Sequence, residues 1–199
     1  MTAVIVRRVF VAALALGFAG MGVVAPVQAS LVVALDLSQL VSHADHIVVT
    51  DVVSVQAAWD AKHERIVSTI QLNVVESWKG PATPQSRITV VQPGGTVDDI
   101  TMVVFGMTQF RPGERSLVFL RGSMTAASVV GMAQGKRALF REAATGRWMA
   151  DGPDRSGALF LRPDAATPAA ATAATENALR RRALDDLHQD IRAMMKAGR

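Results

Sequence analysis

Ile66-Val67-Ser68-Thr69-Ile70-Gln71-Leu72-Asn73-Val74-Val75-Glu76-Ser77 decides the fold. Ile66, Ile70, Leu72 and Val74 fall on one face of an extended chain. Val67, Thr69, Gln71, Asn73 and Val75 fall on the other, where polar side chains predominate. Alternation with a period of two, over a run rich in β-branched residues, predicts an antiparallel strand with one buried and one solvated side. Upstream, residues 46–57 (HIVVTDVVSVQA) read as a partner strand, and the polar WDAKHER between the two reads as an exposed loop. Downstream, Trp78-Lys79-Gly80-Pro81 ends the run, because Gly and Pro there oppose simple continuation.

The same pattern recurs along the chain. Residues 86–92 (SRITVVQ) predict a third strand closed by Pro93-Gly94-Gly95, and residues 100–104 a fourth. Residues 106–113 (GMTQFRPG) are a turn-rich connection, followed by a buried strand over 115–121 (RSLVFLR). Residues 128–132 and 136–142 predict two more strands, broken by Gln134-Gly135. Many short strands at regular spacing predict an all-β chain, an OB-like barrel or small sandwich. Two helices frame it. Residues 38–44 (SQLVSHA) form a short one, with Ser38 as its cap and Leu40 and Val41 on its apolar side. Residues 175–196 predict the other, with Leu184, Leu187, Ile191 and Met194/Met195 in one stripe. An isolated helix of this length is marginal in water, so the stripe needs a cover: it is expected to dock on the barrel and close an open end, the alternative being that it binds a partner. Residues 164–174 (DAATPAAATAA) read as a flexible linker.

The first 29 residues address location. A basic leader ending in Arg7-Arg8, an apolar run over 9–24 and the small residues of Ala25-Pro26-Val27-Gln28-Ala29 make a secretory signal peptide. Cleavage is expected between Ala29 and Ser30, leaving a β-barrel-like domain over 30–163. Gly17, Gly20, Gly22 and Pro26 argue against a retained anchor, and no later segment is long and apolar enough to span a bilayer. Removing 29 of 199 residues leaves 170, enough for one domain with a core. It also removes two arginines and no acid, taking the formal charge from +4 to +2. With no cysteine, disulfides, thiol nucleophiles and a lipidated N-terminal cysteine are excluded, and the fold must hold by burial.

Two resemblances emerge. The run 43–49 (HADHIVV), the strand from Ile66 into Glu76-Ser77-Trp78-Lys79-Gly80, and Ile88-Thr89-Val90 resemble the start of a netrin-like or metalloproteinase-inhibitor-like OB-type barrel. That family's inhibitory chemistry relies on an N-terminal cysteine, which this chain lacks, so only the fold is implied. The later run Pro93-Gly94-Gly95, Gly106, Phe110, Gly113-Glu114, Leu117-Val118-Phe119-Leu120, Val130-Gly131 and Gln134-Gly135-Lys136 is similar to a family of exported bacterial β-domains. The resemblance covers about residues 36–142 and implies structural roles for Gly94, Gly95, Gly106, Phe110, Gly113, Glu114, Gln134, Gly135 and Lys136, with no activity attached.

Chemistry-bearing motifs are sparse. His43-Ala44-Asp45-His46 clusters metal-ligand types, but the pair straddles a helix-to-strand junction, which spoils a shared site. His63-Glu64 lacks the second histidine of a zinc-protease helix, since Val67 stands there. No G-x-S-x-G is present, and Asp98-Asp99 and Asp185-Asp186 read as surface acids. Gln92-Pro93-Gly94-Gly95-Thr96 lacks the Lys-Ser/Thr and following helix of a phosphate loop and reads as a turn needing positive φ. Arg180-Arg181-Arg182 is followed by acids within a turn and reads as a solvated helix face. Trp59, Trp78 and Trp148 lie near strand ends. We therefore expect no catalytic, cofactor or metal residues and no nucleic-acid partner. The expected function is an exported, non-enzymatic binding module for an envelope component or another protein. An exported hydrolase-like enzyme and a protease-associated or inhibitor-like module are the alternatives.

Overall fold

The computed structural model describes residues 30–152, 158–161 and 181–198. The leader, the cleavage residue Ala29, the 164–174 linker and residues 175–180 of the expected helix lie outside them. The chain is all-β with two helices, as its alternation predicts. Strand β1 (Ser30–Val33) is followed by helix α1 (Leu37–His43), β2 (His46–Trp59) and β3 (Ile66–Lys79). Next come β4 (Arg87–Pro93), β5 (Gly95–Val97), β6 (Ile100–Met102), β7 (Arg115–Ser123) and β8 (Ala126–Val129). A 3-10 turn (Met132–Gly135) leads to β9 (Lys136–Arg141), β10 (Trp148–Ala150), β11 (Ala158–Leu161), β12 (Arg182–Ala183) and helix α2 (Leu184–Ala197).

Five strands close a barrel in the order β2-β3-β4-β8-β7 and back to β2. All neighbours are antiparallel except β4 and β8, which meet in parallel at Val90 and Ala127. This is the ring order of an OB-type barrel. Beyond β7 the sheet continues outward as β9, β10 and β12. Register shifts in the β2–β3 ladder at Ile47/Val48, Val49/Thr50 and Val52/Ser54 give β2 the bend that closure needs.

The expected alternation of β3 holds along its length. Ile66, Ser68, Ile70, Leu72 and Val74 are buried, while their neighbours stay half-exposed. Ile70, Leu72, Val74, Ile88 and Val90 fill the barrel with Val48, Val52, Val118, Leu120 and Phe110. A second core lies outside the wall. Ile47 and Val49 of β2 and Leu117 and Phe119 of β7 point away from the barrel and meet both helices. Residues 46–50 of β2 and 116–120 of β7 are thus buried on both faces, which explains the apolar runs there.

The helices correct several expectations. Asp36, not Ser38, caps α1. Its carboxylate accepts from the Gln39 amide while the Gln39 side chain accepts from the Asp36 amide, a reciprocal capping box. Helix α2 begins at Leu184, because Arg182 and Ala183 are extended and pair with β10. It does not plug an end of the barrel. Leu184, Leu187 and Ile191 pack on the wall beside Leu40 and Val41 of α1. The strand expected over 100–104 is shorter and lies outside the barrel ring, pairing only with Gly95–Val97 in a separate hairpin whose first strand rests against β2 and β3. The 128–132 strand ends at Val129, and Met132–Gly135 turns instead. The alternation rule overlooked β10 and β12, which have three and two residues.

Candidate functional site

Most of the residues singled out between 106 and 136 converge where β7 begins and β9 leaves the 3-10 turn. Lys136 is buried, and its ammonium donates to the Glu114 carboxylate at 2.7 Å and to the Gln109 carbonyl. Glu114 also accepts from the Arg111 amide at 3.2 Å. The ammonium lies 4.9 Å from the centre of the Phe110 ring. Gly113, with φ +82°, makes the turn that puts Phe110 and Glu114 on the same amine. A hollow of about 400 Å³ lined by Gln109, Arg111, Glu114, Lys136 and Asp151 opens beside this pair. Contacts already made to Glu114 and Gln109 occupy the Lys136 donors. The arrangement is built to hold β7 to β9.

The neighbouring motif residues clamp the 3-10 turn. Gln134 accepts from the Leu35 amide at 2.7 Å and donates to the carbonyls of Val33 and Gly131, so its amide stands in for a strand partner. Gly106 accepts at its carbonyl from the Ala133 amide. Gly135 has no room for a side chain, since a Cβ there would fall on the Val130 carbonyl. Gly94 and Gly95 carry φ of +103° and +136°, and the Gly94 carbonyl accepts from the Ser68 hydroxyl at 2.6 Å.

A ladder on the wall exterior joins Asp51, Arg115, Trp148 and Arg141. Arg115 binds Asp51 in a bidentate fork at 2.7 Å, and both guanidinium groups lie about 5 Å from the Trp148 ring centre. Hydrogen bonds from Arg115 hold the Asp51 carboxyl below its ordinary value of 3.8; burial opposes this and the Arg115 charge adds to it. A folded-state value below the unfolded one contributes stability above the ordinary carboxylate range, and that stability is lost as pH falls through the folded value. The side chain of Asp51 is 38% exposed, so the contribution is small. Asp51→Asn is expected to flatten the decline in Tm below about pH 4, measured by melting across pH 2–7. A decline as steep as wild type would show that the pair contributes nothing.

The histidines do not come together. His43 is exposed, while His46 is buried with its Nε2 3.0 Å from the Gly122 carbonyl. His63 stacks near Trp59, and His188 stacks on Trp78 with ring centres 4.2 Å apart. Among the described residues no three His, Asp or Glu groups are placed to hold a metal. Asp185 and Asp186 face Arg147 in the first turn of α2; Arg181 and Arg182 pair with Asp151 and Asp190.

Two surfaces escaped the sequence reading. The first is the β5–β6 arm and the chain after it, where Ile100, Val103 and Phe105 are 54%, 64% and 49% exposed. Asp98 and Asp99 form its tip, and Asp98 has φ +51°. The second is a groove between the end of β3 and the last turns of α2. A hollow of about 750 Å³ is lined by Trp78, Lys79, Pro84, Arg192, Met195 and Lys196. It meets another of about 570 Å³ across Lys79 and Met195, with Val41 and Met194 in its lining. Trp78 Nε1 is buried there without a hydrogen-bond acceptor among the described residues.

No family model, curated protein or solved structure matches this chain.

Proposed function

We propose that this chain is an exported, non-enzymatic interaction module. The observation that carries the proposal is the arm: three large apolar side chains, all about half-exposed or more, within six residues of β6 and the chain after it, outside both cores. Isolated exposed apolar residues are ordinary, but several clustered in one short segment mark a contact surface. Two of the molecule's partly buried ion pairs, Lys136–Glu114 and Arg115–Asp51, lock strands together. That supports a scaffold that presents surfaces. An OB-type barrel hosts many unrelated functions, so the fold adds no activity of its own. Export is inferred from the leader, and the module acts as the chain beginning at Ser30.

The test is in-cell crosslinking of the exported chain with a photoreactive side chain at position 105. A discrete adduct is expected, and Val103→Asp with Ile100→Ser should abolish it. The same substitutions should leave Tm within about 2 °C of wild type, because they alter surface positions only. Absence of an adduct, or one indifferent to these changes, would overturn the reading.

A further inference from the structure

We infer that the partner of the arm is a second copy of this chain, joined head to tail with the arm of one copy in the groove of the next. This rests on the reading of the arm as a contact surface and names what it contacts. The two surfaces are complementary in charge as well as in apolar character. The arm presents Asp98 and Asp99 beside Ile100. The groove presents Lys79, Arg192 and Lys196 around Trp78 and Met195, with Glu76 its one carboxylate. Asp98 and Asp99 form no ion pair with a described residue, and neither do Arg192 and Lys196. Methionine adapts its shape to an inserted apolar side chain, and Arg192 and Lys196 face two carboxylates across the joint, with Lys79 beside them donating to the Val41 carbonyl.

The surfaces cannot meet within one molecule. The arm leaves the barrel at the Ile66 end of β3, where the Gly94 amide donates to the Ile66 carbonyl. The groove lies at the other end, at Trp78 and Lys79. A strand of 14 residues separates them, about 40 Å at the usual rise. The interface is therefore heterologous, with a different patch on each partner, and it extends to rings or chains rather than stopping at a dimer.

Sedimentation and light scattering of the purified exported chain at low salt test this. Wild type is expected to grow in mass with concentration and to shrink as salt screens the joint. Asp98→Asn/Asp99→Lys keeps an arm tip compatible with positive φ and reverses its charge. It should weaken association at least about tenfold, as should Arg192→Glu/Lys196→Glu. Arg192→Gln/Lys196→Gln serves if acids at the end of α2 lower its stability. Each variant alone should be monomeric. An equimolar mixture of the arm variant and the Arg192→Gln/Lys196→Gln groove variant should form a one-to-one dimer, since each retains one intact half and the altered arm and altered groove have no opposite charge to join them. A monomeric wild type, or a mixture that stays monomeric, overturns the inference. If the chain is monomeric while the photoreactive arm captures a different protein in cells, the interaction module stands and the self-partner falls. If the arm captures nothing, both fall.

Discussion

Leu187→Asp is expected to destabilise the domain by about 4 kcal/mol, through an unpaired charge placed where no water reaches it. Leu187 is fully buried in the outer core, between α1 and the face of the wall that carries Ile47, Val49, Leu117 and Phe119. For a domain of this size that corresponds to a fall in Tm on the order of 10 °C. Leu187→Ala should lose less, about 3 kcal/mol, because it leaves a cavity without a charge. Urea titration of the chain from Ser30 measures both. Wild-type stability in the Asp variant would mean that α2 detaches in solution. It would also remove Arg192, Met195 and Lys196 from the groove and take the self-association argument with them.

Glu114→Ala should cost about 3 kcal/mol, because it leaves the Lys136 ammonium buried with only the Gln109 carbonyl and the Phe110 ring for company. Breaking one side of a buried pair is worse than removing both. Glu114→Leu/Lys136→Met should therefore be more stable than Glu114→Ala alone. The comparison by urea unfolding separates a strand clamp from a reactive lysine. Full stability in Glu114→Ala would show that Lys136 reaches water in solution, and the hollow beside it would then regain interest as a binding site.

The strand pattern was legible because burial acts directly on side-chain periodicity. In β3, Ile66, Ile70, Leu72 and Val74 must face one way to leave water, and no other part of the fold is needed to see it. The apolar stripe of α2 was legible for the same reason, and Leu184, Leu187 and Ile191 are its buried members. Errors arose where a specific partner, near or far in the chain, decided the outcome. Residues 182–183 directly precede a helix, but β10 takes their hydrogen bonds. Ile100 to Met102 have strand composition and pair only with Gly95–Val97, so they form an arm in place of a barrel wall. Asp36 displaced Ser38 as a cap because Gln39 lies at the position that completes the reciprocal bond. The motif around Gly106, Phe110, Glu114, Gln134 and Lys136 was visible as a pattern. Its chemistry stayed hidden, since Glu114 and Lys136 are 22 residues apart and meet only through the pairing of β7 with β9.

By itself, the sequence determined the class: β strands with one wet face, two helices and no disulfide. Those properties follow from local composition and periodicity, which each segment carries wherever it is placed. Only the tertiary structure decided that the barrel closes through β8, that both helices lie on one outer wall, and that an acidic apolar arm and a basic groove stand at opposite ends of β3. Those depend on which distant segments pair, and pairing is set by the summed burial of the whole chain, which no single stretch of it records.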